Sequence, residues 1–141
     1  MQDMNPEEYK SFLLEKAHTA KLATVRKDGR PHVVPVWFNL DGYVFVFTTW
    51  HESVKAVNIR RDPRVSLCVD EEAPPFAFVL VEGMAEVADG AEDLLYWATR
   101  IGGRYMGADR AEEYGRRNGV PGELIVRITP TKVIAKKNVS D

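Results

Sequence analysis

The sequence predicts a mainly β domain, about six antiparallel strands curled into a small closed or split barrel, with helices at its periphery. Three observations carry that expectation. Asp28-Gly29 and Asp41-Gly42 each stand between β-rich apolar runs, which is the strongest short hairpin signal. The apolar runs themselves (Leu22 to Val25, Val33 to Phe38, Tyr43 to Phe47) have strand length rather than helix length. A sheet of that many strands in 141 residues would leave costly free edges unless it curls. Its interior would then be filled by side chains, and a large ligand would lie outside the barrel or at a subunit boundary.

The elements follow in order. Asn5 begins an N-cap pattern, with Pro6 in the first helical position and Glu7 and Glu8 in the first turn, where negative charge complements the helix dipole. Tyr9, Phe12, Leu13 and Ala17 recur at helical spacing, so an amphipathic helix ends near His18. The three apolar runs then predict an antiparallel meander. A short helix from about Ser53 to Arg61 stops at Asp62-Pro63, because Pro restricts the residue before it and cannot continue the pattern. A strand from Arg64 to about Asp70 and a long strand from Phe76 to Val87 come next, with a bend or bulge expected at Glu82-Gly83. From Asp89 the period changes: Leu94, Leu95, Ala98 and Ile101 form one helical face that is expected to end at Arg100 to Gly102, and Ala108 to Arg117 supports a second short helix. Glu123 to Ile128 and Lys132 to Lys136 complete the sheet, with a break at Thr129-Pro130. Residues 1–141 thus read as one domain with a helical insert at about 89–118.

Composition excludes several classes. The chain is 45% hydrophobic and 28% charged, as expected of a folded soluble domain and unlike a disordered chain. Its 19 basic and 21 acidic residues give a formal net charge of -2, so no general attraction to nucleic acid or an anionic membrane is expected, and any basic site must be local. The N-terminal MQDMNPEEYKSFL has neither the cationic start nor the apolar core of a signal peptide, and no run has the length of a membrane-spanning helix; the expected location is the cytoplasm. The single cysteine, Cys68, falls in the apolar strand pattern and is expected to be a buried thiol rather than a nucleophile. His18, His32 and His51 have no metal-ligand spacing, and no metal site is expected.

One stretch concentrates the chemistry. In FVFTTWHESVKAVNIRRDPRVSLCV, Phe45 to Val69, a strand ends in Thr48 and Thr49, Ser53 opens a helix, and Lys55, Arg60 and Arg61 follow. Free N–H groups at a helix start, hydroxyls and cationic side chains together can hold a phosphate without a glycine-rich loop. On local chemistry alone, an ordinary capped helix with a solvated charged face is the commoner reading of the same residues.

The order of KDGRPHVVPVWF, DGYVFVFTT, SVKAVNIRRDPRVSL and FVLVEGMAEV resembles the split-barrel flavin and deazaflavin oxidoreductases, the superfamily that includes pyridoxamine 5'-phosphate oxidase. The similarity runs from about Ala20 to Val87 and fits the last strand; the helical insert matches in position alone. Within the superfamily the Lys55 to Leu67 segment is closer to the actinobacterial branch that uses the deazaflavin coenzyme F420. The pyridoxamine phosphate oxidases have an Arg-Lys pair after the strand-end hydroxyls, whereas here Val54 precedes Lys55.

The resemblance implies a six-stranded split barrel of the FMN-binding type, and a homodimer with a cofactor groove at the subunit interface. It places Val33, Val34, Pro35, Val36 and Trp37 along the cofactor ring through their backbone groups, and Thr48, Thr49, Ser53 and Lys55 at the phosphate, with Arg60 or Arg61 assisting there or at an acidic tail. The implied cofactor is F420, with flavin mononucleotide (FMN) as the alternative, and the implied activity is hydride transfer between the deazaflavin and a small conjugated acceptor such as a quinone or an enone. Such a cofactor carries the demanding chemistry, so no triad or acid–base pair is needed. His51 is the one candidate proton donor. Two alternatives stay open: an FMN-dependent oxidase of the pyridoxamine phosphate type, and a protein that binds F420 or flavin without turning it over.

Overall fold

The computed structural model describes residues 1–141. The chain forms β1 (Gln2–Asp3), α1 (Pro6–Glu15), β2 (Ala20–Val25), β3 (Pro31–Val36), β4 (Asn39–Asp41), β5 (Val44–Trp50), α2 (Val54–Arg61), β6 (Arg64–Glu71), β7 (Ala77–Asp89), α3 (Leu94–Met106), a single 3-10 turn (Ala108–Arg110), α4 (Ala111–Asn118) and β8 (Glu123–Lys137). Eight strands replace the expected six, because two short ones, β1 and β4, extend the sheet. Every pairing is antiparallel, in the order β3-β2-β6-β7-β8-β5-β4, with β1 also on β8. β3 and β4 are open edges, so the barrel is split rather than closed.

Local chemistry sets the turns and caps. Asn5 accepts from the Glu8 amide at 2.8 Å while the Glu8 carboxylate accepts from the Asn5 amide at 3.2 Å, a reciprocal cap at the start of α1. Ser53 caps α2 through the Ala56 amide at 3.2 Å. Gly42 turns between β4 and β5 at φ 63°, a conformation that glycine adopts without a Cβ penalty.

The expected three-strand meander is not formed. β2 and β3 make a hairpin and β4 and β5 make another, but β3 and β4 stand at opposite edges of the sheet. The chain leaves the sheet at Trp37-Phe38, where Phe38 is buried and tilts against Phe45 at 5.3 Å. The apolar run continues past the strand because Phe38 fills the core, not because it pairs. β8 is continuous through Thr129-Pro130. Its register shifts opposite Glu82-Gly83, where Glu82 faces Lys132 and Gly83 faces Pro130, which leaves Thr131 unmatched. The bend expected at Glu82-Gly83 is this irregularity, and a Cβ at Gly83 would stand 2.8 Å from the Thr129 carbonyl oxygen.

The curled sheet encloses one main core, with Leu13, Leu22, Phe38, Phe45, Phe47, Leu67, Val81 and Ile128 among its buried members. A second, smaller cluster lies on the outer face of β5 and β8, where Val46 and Ile125 meet Leu94, Trp97 and Ile101 of α3. Period-two alternation puts Phe45 and Phe47 inward and Val46 outward, so β5 is buried on both faces.

The helical insert also departs from expectation. α3 runs through Gly102-Gly103 to Met106 rather than stopping there. These glycines are contact points: a Cβ on Gly102 would overlap the Tyr114 side chain, and one on Gly103 would stand 3.0 Å from the Ala111 Cβ. α1 in turn ends at Glu15, short of His18. Its last carbonyls are taken up by α3, since Arg104 donates to the oxygens of Leu13 at 2.6 Å and Lys16 at 2.9 Å, and to Phe38 at 2.8 Å. Cys68 is half-buried instead of fully buried, and burial pushes its thiol above the ordinary range, away from nucleophilic use.

Candidate functional site

A cavity of about 260 Å³ lies where β3 runs out of the sheet, next to the outer face of β5 and beneath α3. Its walls are Pro35, Val36 and Trp37 from the end of β3, Thr48 from β5, Lys55 from the first turn of α2, Ala98 and Ile101 from α3, Asn118 from the end of α4 and Glu123 from the start of β8. Five residues expected at the cofactor, Pro35, Val36, Trp37, Thr48 and Lys55, therefore share one space. They are brought together because the face of β5 that carries Val46 also carries Thr48, and the cap at Ser53 turns Lys55 toward it.

The remaining expected residues are placed elsewhere. Thr49 follows Thr48 and points to the other face; it is buried, and its hydroxyl lies 2.8 Å from that of Ser53. Thr49 and Ser53 thus brace the turn into α2. Val34 packs against the main core, and Val33 is exposed on the open edge. Because β3 pairs with β2 alone, alternate peptide groups from Val33 to Val36 are free of sheet bonding. Arg61 lies at the far end of α2, where it donates to the Val25 carbonyl and to Asn58 Oδ1 and lines a basic cleft with Arg26, Lys27 and Arg30. Arg60 is exposed and lines neither space. His51 is partly exposed beside Glu52, with its ring 4.8 Å from that of Trp50, and does not line the cavity.

Four wall residues were not among the expected ones: Ala98 and Ile101, which are apolar, and Asn118 and Glu123, which are polar. Glu123 is the one acidic residue in the strand segment ELIVRI, a faint signal of a special role. Its Oε2 is buried without a hydrogen-bond partner. Burial pushes the Glu123 carboxyl above the ordinary range, and the Lys55 charge holds it back. Burial lowers the Lys55 ammonium, and Glu123 opposes that change.

The insert forms one wall of the cavity. The Trp37 indole lies flat on the Tyr105 ring and tilts against Tyr114 at 6.0 Å. Trp97 is buried and donates to Asp93 at 3.2 Å, and Arg127 of β8 pairs with the same carboxylate at 2.5 Å. Arg104, Tyr105 and Trp97 are therefore struts that hold α3 in place, while Tyr96 is exposed with Arg100 5.3 Å from its ring. Away from this cavity, Glu15, His18 and Glu71 bring their ligand atoms within 4.8 Å of one another, with Lys16 paired to Glu71 at 2.7 Å.

The donor set fits a phosphate group: a half-buried ammonium, a hydroxyl, an amide side chain and the start of a capped helix.

Comparison with known proteins follows the same line. The family model described as pyridoxamine 5'-phosphate oxidase matches residues 6–137. A pyridoxine/pyridoxamine 5'-phosphate oxidase from Myxococcus xanthus is 39% identical over 88 residues, which are 62% of this chain and 42% of that protein. The chain spans less than half the length of the curated relatives it matches. Among solved structures, a conserved hypothetical protein from Mycobacterium tuberculosis is 28% identical with a TM-score of 0.85, over 97% of this chain and 87% of that one. An F420 reductase is 29% identical with a TM-score of 0.68, over 87% of this chain and 94% of that one.

Proposed function

The chain belongs to the pyridoxamine 5'-phosphate oxidase family, and from that membership we propose that it is an oxidoreductase using coenzyme F420 to transfer a hydride to or from a small conjugated acceptor such as a quinone or an enone. The observation that carries this reading is the meeting of Lys55 and Thr48 with Pro35, Val36 and Trp37 in one cavity. The likeness to an F420 reductase supports the choice of cofactor.

In this reading Lys55 holds the cofactor's phosphate by charge and hydrogen bond, and Thr48 donates its hydroxyl to the same group. The free peptide groups between Val33 and Val36 bind the ring edge, and the Trp37–Tyr105 stack keeps the end of β3 from shifting. Ala98 and Ile101 exclude water from the phosphate end. The cofactor, when bound, supplies the hydride from its ring carbon. A homodimer would complete the ring site. Val33, Trp50, Val54 and Val57 are exposed apolar side chains on the elements that carry the cavity, and a second copy would cover them.

Identity to the curated oxidases favours a second reading, an FMN-dependent oxidase of the pyridoxamine phosphate type. Paired titration with F420 and FMN, followed through tryptophan fluorescence, separates the two. Tighter F420 binding, with oxidation of the reduced cofactor by a quinone or an enone, supports the first reading. Tighter FMN binding moves the assignment to the oxidase, binding without turnover leaves a cofactor carrier, and sedimentation as a monomer with cofactor bound removes the dimer.

A further inference from the structure

The cavity already contains a charge of the wrong sign for a phosphate. Glu123 and Lys55 are the charged residues on its wall. Of the other elements around it, β5 contributes Thr48, α3 contributes Ala98 and Ile101, and α4 contributes Asn118, all neutral. The Glu123 Oε2 has no donor although it is out of contact with water. A carboxylate oxygen in that state lacks either a proton or a partner.

We propose that Glu123 sets the charge the pocket accepts, so that the site selects a singly charged phosphodiester over a doubly charged phosphomonoester. This rests on the reading that a phosphate binds at Lys55. Without ligand, the ammonium and the carboxylate cancel. Into that neutral pair a phosphodiester brings one negative charge and a phosphomonoester dianion brings two. The Glu123 carboxylate repels the dianion about twice as strongly, and the dianion costs more to desolvate. Glu123 therefore cancels the advantage that the Lys55 ammonium alone would give to the doubly charged anion. Among cofactors of this size, the phosphate of F420 is a diester linked to its lactyl tail, whereas that of FMN is a terminal monoester; the pocket's charge therefore favours F420.

The test is titration of the full chain and of Glu123→Gln with F420 and with FMN at pH 8, where the FMN phosphate is fully dianionic. Glu123→Gln keeps the side chain's shape and removes its charge. It is expected to raise affinity for FMN at least about tenfold more than for F420. Equal changes in the two affinities would overturn the proposal. Dimethyl phosphate and inorganic phosphate, followed by the amide resonances of Lys55 and Ala56, keep it separate from the cofactor assignment. If neither cofactor binds but the wild type still prefers dimethyl phosphate and the variant does not, the cofactor reading fails and the charge selection stands. No preference between these two anions in the wild type overturns the charge selection itself.

Discussion

The Trp37 indole and the Tyr105 phenol lie parallel, their planes 3° apart and their centroids 5.0 Å apart, and the Tyr105 hydroxyl accepts from the Phe38 amide at 3.1 Å while donating to the His18 carbonyl at 2.5 Å. One residue of α3 thereby joins the exit of β3 to the segment between α1 and β2. The wall of the cavity is as rigid as that junction.

Tyr105→Phe should keep the stacked ring and lose both hydrogen bonds, leaving the Phe38 amide without its acceptor. The expected destabilisation is about 1–3 kcal/mol, the cost of an unsatisfied buried polar group. Urea unfolding monitored at Trp37 and Trp97 checks it; an unchanged midpoint would show that the junction contributes nothing.

Gly102→Ala tests the packing of α3 on α4. In an isolated helix this change stabilises by about 1 kcal/mol. Here the new methyl meets the Tyr114 side chain, so the expected sign is reversed, with a loss of about 1–3 kcal/mol from overpacking. A rise in melting temperature would mean that α4 is not seated where Gly102 and Tyr114 touch.

Lys55→Ala should weaken binding of the phosphorylated cofactor by roughly 10- to 150-fold, the scale of one charge-assisted hydrogen bond at about 1.5–3 kcal/mol. The fluorescence titration reads the change directly. Unchanged affinity would remove Lys55 from the site, and with it the cavity.

Asp62 gives a pH-dependent prediction. Its carboxylate is held down to about 2 by hydrogen bonds from the Arg64 side chain and amide. A folded value below the unfolded one means that the pairing stabilises the protein above the ordinary carboxylate range, near 3.8, and that this contribution fades as pH falls from there toward 2. Asp62→Asn should therefore lower the melting temperature at pH 6, with the difference from wild type closing near pH 2. A difference that is constant across that range would assign the effect to something other than this charge.

Much of the local structure is legible without coordinates. The Asn5 cap with Glu8, the glycine turn at Gly42, the Ser53 cap of α2 and the Asp62-Pro63 stop all depend on atoms within a few residues of one another. The clustering of Thr48 and Lys55 near the end of β3 was likewise expected, from resemblance to known split barrels. Glu123 could not be found in this way, because its significance comes from Lys55, which is far from it in the chain. The division of Thr48 from Thr49 is implied by strand alternation.

By itself the sequence determined the types of the longer elements (though not the short strands β1 and β4), most of their boundaries and the family, since these are written in short-range propensities and in a contiguous motif from Lys55 to Leu67. Tertiary structure alone decided that β3 and β4 stand at opposite edges, that Gly102 and Gly103 lie inside a helix, and that the half-buried carboxylate of Glu123 shares a cavity with Lys55. Each of those outcomes depends on which distant surface arrives to bury an apolar face or fill a gap. That is a property of packing, and no window along the chain contains it.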